Sequence, residues 1–155
     1  MDEKTNVMRI LEQKKIKHET HSYVGTGAVS WSEVASALGQ DPKRVFKTLV
    51  TVGKSKNNYV FVIPVEKELN LKKAAKIVGE KSIDMLKSKD LLSLTGYIHG
   101  GCSPIGMKKF FKTVIDISAE DYDTIIFSAG KIGYQVEMSL SELSKVIRFT
   151  TADII

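Results

Sequence analysis

The sequence predicts an α+β protein, a mixed β-sheet with helices packed outside it. Three observations support this. Residues 45–52 and 59–63 are alternating β-rich segments flanking a polar turn at 53–58, the clearest hairpin in the chain. Segments with helical periodicity and their own caps are inserted between strands. Strands and helices do not alternate one for one, which argues against a doubly wound parallel sheet.

The elements follow in order. Thr5 can cap a first helix over about residues 6–15, with Val7, Met8, Ile10 and Leu11 as its apolar stripe. A short strand over 17–23 and a loop over 24–28 come next. Ser30-Trp31-Ser32-Glu33 is a capping box that opens a second helix. Trp31, Val34, Ala35 and Leu38 line one face of it, and Gly39 stops it. Asp41-Pro42 starts a turn of helix, with proline in its tolerated first position. After the hairpin, Asn70 caps a third helix with Leu71, Ala74, Ala75 and Val78 on one face and Gly79 at its end. Residues 81–85 read as a short strand, and 88–94 as a short helix stopped by Gly96. Tyr97-Ile98-His99 reads as a strand entering a glycine loop. Strands are expected at 113–117 and 124–128, a tight turn at 129–133, and the last strand at 134–138. Ser139-Leu140-Ser141-Glu142 repeats the capping box and opens a final helix to about Ile147.

Composition bounds the class. A chain of 155 residues is expected to form one domain, 1–155, with a single well-buried core. Its 43% hydrophobic and 26% charged content is that of a soluble globular protein. No apolar run approaches the ~20 residues of a bilayer span, so no membrane contact is expected. The charged start Met1-Asp2-Glu3-Lys4 is followed by no apolar signal core. The single cysteine, Cys102, excludes an internal disulfide framework. Together these point to the cytoplasm. The formal charge of +5 is compatible with a polyanionic partner without requiring one. The positive charge is dispersed in small clusters: Lys14-Lys15-Lys17, Lys43-Arg44-Lys47, Lys72-Lys73-Lys76, Lys87-Lys89 and Lys108-Lys109-Lys112. Dispersed lysines are ordinarily solvated faces. Clusters that converge on one groove are an electrostatic footprint for nucleic acid.

The most informative segment is Gly96-Tyr97-Ile98-His99-Gly100-Gly101-Cys102-Ser103-Pro104-Ile105-Gly106-Met107-Lys108-Lys109. Paired glycines permit positive φ and close approach of a ligand to the main chain. A run of free N–H groups forms an anion-binding nest. An ordinary tight turn is the alternative reading, because Gly and Pro are the commonest turn residues.

These segments in order resemble the YbaK/EbsC family of aminoacyl-tRNA deacylases, relatives of the editing (insertion) domain of bacterial prolyl-tRNA synthetase. The resemblance is carried by Thr20-His21-Ser22-Tyr23, Arg44-Val45-Phe46-Lys47-Thr48-Leu49 and Leu69-Asn70-Leu71-Lys72-Lys73-Ala74-Ala75-Lys76. Thr95-Gly96-Tyr97, Gly100-Gly101, Ser103-Pro104-Ile105-Gly106, Phe127-Ser128-Ala129-Gly130-Lys131 and Gly133 complete it. It spans about residues 5–153. It implies a mixed, partly barrel-like sheet with surrounding helices. It implies release of a wrong amino acid from tRNA, most directly cysteine from tRNA for proline, and also Cys-tRNA(Cys). Related branches act on alanyl-, seryl- or threonyl-tRNA. The implied partners are the acceptor end of aminoacyl-tRNA and a prolyl-tRNA synthetase held beside it. No cofactor or metal is implied, and the oligomeric state is left open.

The resemblance also assigns roles. Lys47 is the motif lysine, whose ammonium can hold the terminal phosphate or ribose; an anonymous strand lysine would more often snorkel to water. The N–H groups of Gly100 and Gly101 would face the ester carbonyl or its developing oxyanion. Tyr23, Trp31, Ser103, Gly106, Ser128, Gly130 and Gln135 make up the substrate-binding set. Ser128 has no evident base beside it, so it reads as a pocket hydroxyl. Cys102 with His99 suggests a nucleophile, but relatives commonly carry an apolar residue at this position, and two ligands are too few for zinc. His18 and His21 read as surface or packing residues. Two departures bear on amino-acid selectivity: Gln135 stands where many relatives have an acid, and Ala129 replaces the first glycine of a Gly-Gly turn.

No Ser-His-Asp triad is visible. An aminoacyl ester is already activated, so positioning and oxyanion stabilisation can suffice. A cysteinyl substrate can attack its own carbonyl and leave as a thiolactone, whereas alanyl or seryl substrates need water. The sequence leaves both routes open, together with a non-catalytic, EbsC-like RNA-binding or regulatory module.

Overall fold

The computed structural model describes residues 4–155, and the charged start at Met1-Asp2-Glu3 lies outside them. Helix α1 (Asn6–Gln13) begins where Thr5 Oγ1 accepts the Met8 N–H at 3.2 Å, and it buries Val7, Met8 and Leu11. It stops two residues earlier than expected, because Lys15 takes φ 56° and the Ile16 N–H returns to the Leu11 carbonyl. Strand β1 (Glu19–Ser22) follows. Helix α2 (Trp31–Leu38) carries the complete capping box and ends on left-handed Gly39. A 3-10 turn, Pro42–Arg44, leads into β2 (Phe46–Gly53) and β3 (Asn58–Pro64). Helix α3 (Leu71–Val78), β4 (Ile83–Met85) and α4 (Ser88–Thr95) come next. The chain ends with β5 (Lys112–Asp116), β6 (Ile125–Ser128), β7 (Tyr134–Met138), α5 (Leu140–Leu143) and β8 (Thr150–Ala152).

The strands form two sheets that do not close into a barrel. A five-stranded sheet has the order β4-β2-β3-β5-β8, and a three-stranded sheet has the order β1-β7-β6. The first is mixed: β2 pairs antiparallel with β3 and β4, whereas β3–β5 and β5–β8 are parallel. The second is antiparallel throughout. The sheets meet at one corner, where Val45 bridges Ile126 in parallel and its carbonyl accepts the Val65 N–H at 2.9 Å.

Side-chain alternation gives β3 two apolar faces. Phe61 and Ile63 pack with Ala74 and Ala75 of α3 and with Ile154. Val60 and Val62 pack with Phe46, Ile105, Phe127 and Val136 in the larger core. No helix among the described residues is long and apolar enough to cross a membrane.

Three local expectations are corrected. Residues 97–99 form no strand: the Tyr97 N–H bonds back to Thr95 Oγ1, and its phenol donates to the Ile105 carbonyl at 2.5 Å. The segment is thereby folded onto its own loop. Strand β7 is not the last, because Thr150–Ala152 adds β8 alongside β5. Helix α5 ends at Leu143 and not near Ile147, with turns beyond it. Ser139 still accepts the Glu142 N–H at 3.1 Å, but the Glu142 carboxylate accepts the Lys17 N–H at 3.2 Å, holding the start of the chain against its end.

Two left-handed glycines separate backbone strain from packing. Gly25 has φ +83° and open space where a Cβ would stand. Gly130 has φ +91°, and a Cβ there would lie 2.9 Å from Tyr97 Cε1 and 3.0 Å from Val7 Cγ2. Gly25→Ala should therefore cost about 1–2 kcal/mol from conformation alone. Gly130→Ala should cost roughly 1–3 kcal/mol more through overpacking. Urea unfolding of the two variants measures the difference, and equal midpoints would contradict it.

Candidate active site

Strand β4 covers only the Thr51–Gly53 end of β2, and the bridge to β6 reaches only Val45. Between these contacts one edge of β2 is left without a strand. The Leu86 N–H donates to the Val50 carbonyl at 3.0 Å, so Val50 faces that edge; two residues back, Thr48 faces the same way. A cavity of about 560 Å³ opens at this gap, within the range of small-molecule sites. Its walls come from Tyr23 after β1, Trp31 and Val34 of α2, Phe46–Val50 of β2 and Met85-Leu86 at β4. The rest is Ser88 and Leu91 of α4, the His99–Cys102 turn, Phe127-Ser128 of β6 and Tyr134-Gln135 of β7.

The cavity is mostly apolar, and its polar groups are few. Among the described residues, Lys47 is the one side chain of fixed charge on its walls, and no carboxylate lines it. Among the described residues, no ion pair engages Lys47. Its ammonium, on a half-buried strand, is therefore available to an anionic ligand. Ser128 Oγ accepts the Gly130 N–H at 3.1 Å, which shapes the turn after β6. The Gln40 amide donates to Gln135 Oε1 at 2.7 Å and fixes the Gln135 side chain at the cavity wall.

The sequence-predicted residues separate into two groups. Tyr23, Trp31, Lys47, Gly100, Ser128 and Gln135 meet on the cavity wall. Gly101, Ser103, Gly106 and Gly130 do not line it. The Gly101 N–H is taken by the Ile98 carbonyl at 3.0 Å, closing a tight turn. Ser103 is fully buried and its hydroxyl accepts the Ile105 N–H at 3.3 Å. Gly106 and Gly130 let Tyr97 pack close against the main chain. Among the described residues no hydrogen bond takes up the N–H of Gly100 or of Cys102, and both residues line the cavity. Gly100 and Cys102 therefore keep N–H groups without a hydrogen bond, one position either side of the spent Gly101 N–H.

His99 also lies on the wall, beside Gly100. Thr48 is a residue that sequence reasoning missed: its hydroxyl oxygen is buried without a partner. Thr48 stood inside the Phe-Lys-Thr-Leu motif, yet strand alternation would have pointed it away from Lys47. Only the open edge of β2 brings both to one cavity.

Burial pushes the Cys102 thiol up to about 12, so it is neutral at physiological pH and unlike an activated nucleophile. Tyr97 is likewise pushed up to about 12, first by burial and then by Cys102.

Behind Gln135, a second polar cluster joins the two sheets. Glu137 Oε1 receives His21 Nε2 at 2.7 Å, and Glu137 Oε2 receives Arg44 Nη2 at 2.7 Å and Thr124 Oγ1 at 2.5 Å. Arg44 also donates to the Thr124 carbonyl at 3.2 Å and to its hydroxyl. Glu19, His21 and Glu137 bring three potential metal-ligand atoms within 4.8 Å of one another. Both Glu137 oxygens already have donors, so the cluster is satisfied as an ion-pair network.

The sequence and the fold both have known relatives. Residues 26–146 match the family model described as an aminoacyl-tRNA editing domain. The chain is 48% identical over 144 residues to an Enterococcus faecalis protein named "Putative Cys-tRNA(Pro)/Cys-tRNA(Cys) deacylase EbsC", covering 88% of this chain and 84% of that one. It is 31% identical over 108 residues to a proline–tRNA ligase of Thermodesulfovibrio yellowstonii, covering 70% of this chain but 18% of the ligase. A solved structure described as "a putative trans-editing enzyme for prolyl tRNA synthetase" superposes with a TM-score of 0.81 at 22% identity, covering 97% of each chain. This chain belongs to the aminoacyl-tRNA editing domain family.

Two measurements check the electrostatics. Burial alone would raise the Glu137 carboxyl, but hydrogen bonds from Thr124 and His21 and the Arg44 charge outweigh it and hold it below the ordinary value. A lowered carboxyl adds stability that is complete above the unfolded value of about 4.3 and is lost as pH falls through the folded value. Glu137→Gln should therefore lower Tm at pH 7 and flatten its fall on the acid side; an unchanged acid limb would contradict this. Cys102 in the native protein should react with a thiol-directed reagent far more slowly than free cysteine at pH 7.5, and at the ordinary rate in denaturant. Fast native labelling would show an ionised thiol.

Proposed function

We propose that this protein is a trans-editing aminoacyl-tRNA deacylase whose cavity receives the aminoacylated 3′ end of tRNA and releases a wrongly attached amino acid, cysteine foremost. One observation carries the reading: among the described residues, the apolar cavity holds a single fixed charge, a lysine without an ion pair, beside a glycine turn and with no carboxylate on its walls. That arrangement suits a nucleotide-linked ester, where phosphate needs a cation and the reacting carbonyl needs donors.

In this reading Lys47 holds the terminal phosphate or ribose. Trp31, 43% exposed at the rim, offers the adenine a flat apolar surface, with Tyr23 across the mouth. The N–H groups of Gly100 and Cys102 receive the carbonyl oxygen as it gains charge, and Gly101 shapes the turn that aims them. Ser103, Gly106 and Gly130 support that turn from behind. Ser128 and Gln135 border the amino-acid side chain. The whole chain, 1–155, works as one editing domain in the cytoplasm. A prolyl-tRNA synthetase beside it can supply the tRNA selectivity that the cavity alone lacks.

For cysteine the reacting group belongs to the substrate. The thiol sulfur bonds to the carbonyl carbon, the bond from that carbon to the ribose oxygen breaks, and the thiol proton ends on the ribose hydroxyl. The product is a thiolactone, and the protein supplies no base. His99 on the wall favours a second reading for alanyl, seryl or threonyl esters, in which the imidazole takes a proton from an attacking water.

Turnover of Cys-, Ser- and Ala-charged tRNA for proline separates the readings. Thiol attack predicts cysteine release far faster than serine release, with His99→Ala near wild-type on cysteine. Equal rates on cysteine and serine, abolished by His99→Ala, would establish the water route. No turnover of any charged tRNA would leave a binding module. Lys47→Ala should lower cysteine release by about 10²–10³-fold with the fold intact, and Cys102→Ala should retain most of it. Normal turnover in Lys47→Ala, or a thioester on Cys102, would overturn these assignments.

A further inference from the structure

Beyond the cavity wall, the chain runs Met107-Lys108-Lys109-Phe110-Phe111-Lys112 into β5. Phe111 is buried, but Phe110 is 63% exposed. Lys108, Lys109 and Lys112, its neighbours in the chain, are exposed; Lys109 lines the groove beside it, and Lys108 reaches the Ser93 carbonyl at 3.4 Å. A second cavity of about 200 Å³ opens here, with Lys109, Phe110 and Ile147 on its walls. Arg148, the residue after Ile147, is exposed as well. Among the described residues no acidic side chain lines this groove, and residues 104–115 contain none. The Lys109 ammonium lies 5.7 Å from the centre of the Phe111 ring, which holds its stem against the surface.

An exposed aromatic ring within a cluster of unopposed cations has a specific chemical complement. Protein interfaces deplete lysine at their apolar centre. Single-stranded nucleic acid needs this combination, cations along the phosphates and a ring on which a base can stack.

We propose that this groove is a second RNA-contact surface. Lys108, Lys109, Lys112 and Arg148 hold backbone phosphates, and Phe110 stacks on an unpaired base. The identity of the RNA rests on the deacylase reading: it is the tRNA whose 3′ end enters the larger cavity.

The test is a fluorescence-anisotropy titration of uncharged tRNA for proline with the full chain, between 50 and 200 mM salt (about the range over which phosphate contacts show). Phe110→Ala should weaken binding roughly tenfold, and Phe110→Trp should restore it. Lys109→Gln combined with Lys112→Gln should lower the slope of log affinity against log salt by about 1.5. Release of cysteine from a cysteinyl CCA trinucleotide should stay at the wild-type rate in these variants, because the larger cavity is untouched. If the wild-type protein releases nothing from that trinucleotide, the deacylase reading fails while the affinity comparison still stands. Unchanged tRNA affinity and salt slope in the variants would overturn the proposal. So would a loss confined to binding of a purified prolyl-tRNA synthetase.

Discussion

The two sheets pack through a shared core, but their backbones bridge at one corner, and the cavity opens beside that bridge. Arg44, on the turn before β2, crosses to the other sheet, donating to Thr124 and pairing with Glu137. Val45 beside it makes the single bridge to Ile126. The other edge of β2 is covered by β3, and its open edge would close if β6 or β4 ran its full length. Because neither does, residues 46–50 keep an open edge, and Lys47, Thr48 and the glycine turn face one space. A half-buried ion pair is a poor source of net stability but costly to break from one side. Its main contribution here is geometric, because it sets where the second sheet begins.

This corner also accounts for the polar residues near the cavity. Gln135 and Glu137 lie on the same face of β7, two residues apart, opposite His21 and Glu19 of β1. Glu137 is consumed by the corner, and Gln135 by Gln40. What remains for a ligand is one ammonium, the Thr48 and Ser128 hydroxyls, the His99 imidazole and an apolar wall. An activated ester that carries its own nucleophile needs little more than correct placement. The burial that keeps Cys102 neutral agrees with chemistry that does not recruit a protein thiol.

Binding an RNA with so few groups in the cavity leaves affinity to other parts of the surface. Arg44, counted among the basic clusters in the sequence, is withdrawn from that role by its internal pairing. Among the described residues no ion pair engages the lysines next to Phe110; Lys108 donates to the Ser93 carbonyl at 3.4 Å and Lys109 lies over the Phe111 ring. In the proposed reading, the cavity positions the ester and this separate surface holds the polyanion.

Capping residues, left-handed glycines and the hairpin were legible in the sequence because each is a local rule obeyed within a few residues. Thr5, Ser30 and Asn70 start helices, Gly39 and Gly79 end them, and the 53–58 turn returns the strand, all by interactions the chain makes with its near neighbours. The motif order identified the family and brought Lys47, Tyr23, Gly100 and Ser128 forward as candidate site residues, with Trp31 and Gln135 named beside the motifs. Tertiary structure decided what local rules cannot. Three-residue β8 forms only because β5 offers it an edge, α5 stops early, and Glu142 is drawn away to Lys17. It also decided that the Gly101 N–H closes a turn while Gly100 and Cys102 face the cavity, that His99 reaches the wall, and that Arg44 is internal. In each case the deciding partner lies far along the chain or depends on which way a turn is rotated, and sequence spacing records neither.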